Sequence, residues 1–112
     1  HTRYISVTGV QTCALPISYF RTSNVNTTGA SGALQIGGLP FTVGSWSGVA
    51  ISYASAFNTN HPSGGYANQT GTTITLSYRT TANGGTVDAT VADLITGAGT
   101  ANALIFSATY FV

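Results

Sequence analysis

The chain has 112 residues, 43% of them hydrophobic and 4% charged, with a formal net charge of +1. Three Lys+Arg residues supply no basic stripe for nucleic acid or an anionic membrane surface, and the pairing of low hydrophobicity with high charge that keeps chains disordered is absent. No apolar run approaches the roughly eighteen residues of a transmembrane helix, and a chain with 14 Gly, no Met, no Lys and no Glu favours a single β-domain over a helical one.

The first stretch, Val7-Thr8-Gly9-Val10-Gln11-Thr12-Cys13-Ala14-Leu15-Pro16-Ile17, resembles a reading-frame translation of an adapter oligonucleotide used in short-read DNA sequencing. His1-Thr2-Arg3 and the first base of the Tyr4 codon match the upstream block of the same adapter. On this reading residues 1–18 are adapter-derived, and residues 19–112 are one natural domain truncated at its N-terminus. The competing reading is a genuine strand through residues 4–17 with a turn at Leu15-Pro16, because Tyr-Ile-Ser-Val-Thr is good strand composition. Setting the segment aside removes His1, Arg3 and Cys13, so the lone cysteine says nothing about redox compartment, metal or nucleophile. Arg21 and Arg79 then balance Asp88 and Asp93, and net charge points to no partner.

From Tyr19 onward, turn signals are dense. They fall at Thr28-Gly29, Ser31-Gly32, Gly37-Gly38 ahead of Leu39-Pro40, Gly44, His61-Pro62-Ser63-Gly64-Gly65, Gly71, Asn83-Gly84-Gly85 and Gly97-Ala98-Gly99. Short β-rich runs between such signals predict an all-β, antiparallel β-sandwich of jelly-roll-like form. Leu34 and Ile36 suggest one strand. Val49, Ile51 and Tyr53 share a predicted inner face, as do Ile74, Leu76 and Tyr78, with Thr73, Thr75 and Ser77 outward. Val87, Ala89 and Val91 suggest a further strand, although Ala92-Asp93-Leu94-Ile95 fits one helical turn equally well. In the last run Leu104, Phe106, Ala108 and Tyr110 share one face, while Ile105 and Phe111 lie on the other. Apolar residues on both faces indicate a central strand or one covered by another subunit.

Reactive groups are scarce. Asp88 and Asp93 are the only carboxylates, and five positions apart on a strand they point to opposite faces, which suits turn and strand-end roles better than paired acid and base. Gly44-Ser45-Trp46-Ser47-Gly48 lacks the central serine of a nucleophile elbow. Without the adapter segment, one His and two Asp fall short of a closed zinc site, and no glycine-rich string has the strand–turn–helix setting of a phosphate loop. The sequence therefore predicts no enzyme, no cofactor and no metal. What remains is recognition: Trp46, His61, Tyr66 and Asn68 lie in or beside loops, and aromatic faces with neighbouring amides suit a neutral glycan. The competing assignment is a core Trp and ordinary turn amides. Asn26-Thr27-Thr28 and Asn68-Gln69-Thr70 match the glycosylation acceptor pattern, as chance matches do in Thr-rich sequence.

The order Ala33-Leu34-Gln35-Ile36-Gly37-Gly38-Leu39-Pro40-Phe41-Thr42, then Val49 to Tyr53, then Thr72 to Tyr78, then Ala92-Asp93-Leu94 and Leu104-Ile105-Phe106-Ser107-Ala108-Thr109-Tyr110, resembles C-terminal β-sandwich domains of bacteriophage tail-fibre and related virion proteins. The resemblance covers nearly all of residues 30–112 and rests on short structural motifs. It implies a domain at a fibre tip, homotrimeric, carried outside the cell on the virion, attaching to a host cell-surface glycan or protein without inserting into the membrane. It supplies no catalytic residues. Rival expectations are a carbohydrate-binding module of a secreted bacterial enzyme and a capsid decoration domain without a receptor.

Overall fold

The computed structural model describes residues 12–22, 24–97 and 100–112. Seven strands follow in order: β1 (Thr12–Thr22), β2 (Gln35–Ile36), β3 (Ser47–Ser55), β4 (Gly64–Ala67), β5 (Ile74–Tyr78), β6 (Val87–Asp88) and β7 (Ala101–Phe111), with a short 3-10 turn at Val91–Asp93. Every pairing is antiparallel, as the alternation predicts. The strands form one sheet in the order β1-β7-β3-β4-β5-β2, with β6 beside β2 on the same edge of β5. Residues of β1 and β2, at opposite ends of that order, line a single hollow, so the sheet is curled into a half-barrel. The layer that a sandwich supplies from a second sheet comes here from the curl itself.

Residues 1–11 of the adapter-like segment lie outside the described residues. Residues 12–18 extend β1 beyond Tyr19, from Thr12 opposite Phe111 to Ser18 opposite Phe106, with an irregularity between Leu15 and Ser18. Such pairing uses main-chain groups, which are common to any sequence, and so it carries no information about origin.

The inner face of the curl is the core. Leu104, Phe106, Ala108 and Tyr110 of β7 are buried together with Val49 of β3 and Ile74 and Leu76 of β5. Each such large side chain contributes about 1.5–3 kcal/mol by leaving water. Strand β7 lies between β1 and β3, which accounts for the apolar residues on both its faces: it is a central strand. Gly65 is demanded by close packing, because a Cβ there would sit 2.9 Å from the Thr75 carbonyl oxygen.

Two irregular segments close the ends. The connection from β2 to β3 buries Leu39 and Val43, and is held by Val43 N–H donating to the Gly71 carbonyl at 2.8 Å and Gly44 N–H donating to the Phe111 carbonyl at 2.6 Å. At the other end Asn102, fully buried with φ 52°, donates through Nδ2 to Thr22 Oγ1 at 2.8 Å and to the Ile95 carbonyl at 3.0 Å, and accepts from Ile95 N–H at 2.9 Å. One amide thereby ties β1, β7 and the segment after the 3-10 turn. Asn tolerates a left-handed backbone better than a branched residue does.

Two expectations change. Ile51 pairs with Phe106, but Tyr53 pairs with Ile105, so a bulge after Ile51 transfers Tyr53 to the outer face, where it is 49% exposed. Thr75 and Ser77 lie on the outer face as alternation predicts, yet both are buried, because that face is covered locally by the side chains described next. The ambiguous stretch after Gly85 divides into the two-residue β6 and the 3-10 turn. Asp93 binds the turn's start, accepting from Thr90 N–H at 3.0 Å and from Asn60 N–H and Nδ2 at 3.2 and 2.9 Å.

Candidate functional site

Three of the four residues predicted to contact a ligand converge on the outer face of the half-barrel. Antiparallel pairing puts Ser47 opposite Ala67 and Gly48 opposite Tyr66. Continuing that register by one residue puts Trp46 opposite Asn68. Directly opposed residues project to the same side, so Trp46, Gly48, Tyr66 and Asn68 share a face. Tyr66 is in turn opposite Thr75 of β5, and Thr75 is opposite Gln35 of β2.

The Trp46 and Tyr66 rings lie 5.5 Å apart between centroids and are tilted by 58°. Trp46 is 58% exposed, so it is a surface aromatic rather than a core tryptophan. A Cβ at Gly48 would meet nothing within 4 Å, which leaves open space on the sheet in the same row as Tyr66. Tyr66 Oη donates to Asp88 Oδ1 at 2.9 Å. Burial of the phenol, followed by this hydrogen bond and the carboxylate charge, raises the Tyr66 pKa above its ordinary value, against a smaller lowering contribution from Thr75. The hydroxyl is therefore protonated across the physiological range and acts as a donor.

Asn68 has a positioning role. Its Nδ2 donates to Thr73 Oγ1 at 3.0 Å, to Thr75 Oγ1 at 2.8 Å and to the Thr73 carbonyl at 3.3 Å, while its main-chain N–H donates to the same carbonyl at 2.9 Å. Gln35 Nε2 adds a donor to Thr75 Oγ1 at 3.1 Å. These bonds satisfy the buried threonine and fix the turn that carries Tyr66 into β5.

His61 lies elsewhere, in the connection beyond the far end of β3. Its Nε2 accepts the Phe57 N–H at 3.4 Å and its ring meets the buried Phe57 ring edge-on, 5.7 Å between centroids. Asp88 and Gln35 are site residues that the sequence reading did not select. The signal for Asp88 lay in register: β4, β5 and β6 are successive antiparallel strands, which brings Asp88 opposite Ser77, two residues along β5 from the partner of Tyr66.

Among the described residues no group of three or more His, Cys, Asp or Glu side chains could hold a metal ion, and no helix is long and apolar enough to cross a membrane. Chemically, the patch offers two aromatic faces, a carboxylate acceptor and a phenol donor, and it lacks a nucleophile with an adjacent base. No protein-family model matches the chain, and neither the curated proteins nor the solved structures contain a match to it.

Proposed function

We propose that this domain is a non-enzymatic recognition module which binds a neutral saccharide on the Trp46–Tyr66 patch, and that it serves as the C-terminal tip of a bacteriophage tail fibre or similar virion appendage, attaching to a host-surface glycan. The observation that carries the binding reading is the exposure of Trp46, at 58%, in contact with a second ring on an open sheet face. An indole held in water gives up the burial that normally stabilises it, and its use is as a platform for sugar CH groups. Asp88 supplies an acceptor for sugar hydroxyls beside the rings. The virion setting and the jelly-roll kinship are supported by the run of short motifs from Ala33 to Tyr110.

Homotrimer assembly is part of the same proposal. Tyr19, Ile105 and Tyr53 are successive cross-strand neighbours on the outer face, with Tyr19 55% and Tyr53 49% exposed. Packing this row between copies would remove a contiguous apolar strip from water. A carbohydrate-binding module of a secreted enzyme shares the ring patch but needs no such assembly.

The test pairs sedimentation with a glycan array. A trimer that binds neutral glycans, with binding abolished in Trp46→Ala at unchanged melting temperature, is the expected result. A monodisperse monomer that still binds favours the secreted-enzyme module. An array without any bound glycan removes the recognition reading, and a large loss of stability in Trp46→Ala removes Trp46 from it.

A further inference from the structure

The curl leaves an apolar hollow of about 450 Å³ along the inner face, lined by Phe20 of β1, Leu34 and Ile36 at β2, Leu76 of β5, Phe106 of β7, and Phe57. No charged side chain lines it. At about 30 Å³ per liquid water the space equals on the order of fifteen waters, yet its walls offer them few partners. Among the described strands, β1 pairs only with β7 and β2 only with β5, so each presents its other edge beyond the pairing. The hollow is bounded by those same two end strands, Tyr19 to Thr22 on one side and Leu34 to Ile36 on the other.

An aliphatic ligand would satisfy the walls and leave main-chain donors and acceptors at both rims. A strand satisfies both: its backbone pairs with an edge, and every second side chain turns inward. We propose that this gap accepts one extended polypeptide segment with alternating, uncharged apolar side chains, supplied by another protein, which completes the half-barrel by strand addition. The inference is independent of the saccharide patch, which lies on the opposite face of the sheet.

The probe is a peptide with the sequence of residues 103–111, flanked by lysines for solubility, because its Leu-x-Phe-x-Ala-x-Tyr alternation already fits this inner face beside β1. The expected result with the whole chain is saturable binding that slows amide exchange at both Tyr19–Thr22 and Leu34–Ile36 by at least about tenfold. A reordered peptide of the same composition, with its apolar residues adjacent, should bind at least about tenfold more weakly, since only alternation fills one face. Ile36→Asp, which puts a carboxylate at the hollow, should abolish binding while leaving exchange at Ile74–Ser77 unchanged; if it unfolds, the exchange pattern of the natural chain decides alone. Absence of peptide binding, or binding without protection of both edges, overturns the proposal. So does displacement of the peptide by dodecanoate with no edge protection, which would identify an alkyl site. Edge protection that grows with protein concentration in the absence of peptide would identify a second copy as the occupant and overturn the assignment to another protein.

Discussion

The domain holds two ring pairs of nearly equal geometry and opposite character. Trp46 and Tyr66 stand 5.5 Å apart, Phe57 and His61 5.7 Å apart. In the second pair the apolar ring is buried at 4% exposure and the polar ring accepts a main-chain N–H from its own partner, so both members are committed to holding the chain after β3. In the first pair the larger ring is in water and the phenol reaches sideways to a carboxylate. Proximity of aromatic rings is therefore a poor sign of a site. What separates the two pairs is whether burial and hydrogen bonds are already directed inward.

The sharpest way to break the comparison is truncation on each side. Phe57→Ala should cost about 3–5 kcal/mol, as loss of a buried Phe does, and should be read from chemical denaturation. Binding of saccharide by the fraction that remains folded should be unchanged. His61→Ala removes an acceptor from the Phe57 N–H and an edge contact, and should cost about 1 kcal/mol, again with saccharide affinity unaltered. An affinity loss in His61→Ala comparable with that of Trp46→Ala would mean that the two pairs belong to one site.

Much of this contrast was legible in the sequence. Period-two alternation from Ile74 to Tyr78 locates a strand, Gly-rich punctuation locates its neighbours, and Trp46, Tyr66 and Asn68 are marked by residue type. The misreadings have a common cause: alternation assigns a side chain to a face only while register is unbroken, and it does not say what covers that face. One bulge after Ile51 moves Tyr53 outward. Thr75 and Ser77 keep their face yet are buried, for Tyr66 is opposite Thr75 and extends to Asp88, opposite Ser77. His61 and Trp46 look alike in sequence, each an aromatic side chain next to small residues, and only the burial of Phe57 distinguishes them. The curl of the sheet, and with it the hollow, depends on long-range closure between the connection after β2 and the end of β7, which no local pattern encodes.

A smaller effect tests how Tyr66 is held. Tyr66→Phe keeps the ring and removes the donor to Asp88, so stability should fall by no more than about 1 kcal/mol, with a several-fold weaker affinity if the hydroxyl–carboxylate pair orders the acceptor. The pH dependence has a definite sign. Because the folded-state pKa lies above the ordinary 10.0, the contribution of the neutral hydroxyl is complete below pH 10.0 and is lost as pH rises through the raised folded value. Thermal melting of the natural chain and Tyr66→Phe should thus differ by a constant amount from neutrality to about pH 10, then converge. Tyr110, raised by burial, is present in both proteins and cancels in the difference.

The smallest stability change expected comes from Gly48, and it discriminates best because its two readouts move in opposite directions. A glycine within a strand is costly relative to alanine by about 0.5–1 kcal/mol in backbone entropy. Nothing within 4 Å obstructs a Cβ at this position. Gly48→Ala should therefore leave melting unchanged or raise it slightly. Gly48→Val adds a branched side chain suited to a strand and should be tolerated in the same way. If the ligand rests on the sheet between the rings, both variants occupy its space, and affinity should fall in the order Gly, Ala, Val while stability holds. Equal affinity in all three would place the ligand on the outer rim of Trp46 alone, and parallel losses of stability and affinity would show that the open floor is structural.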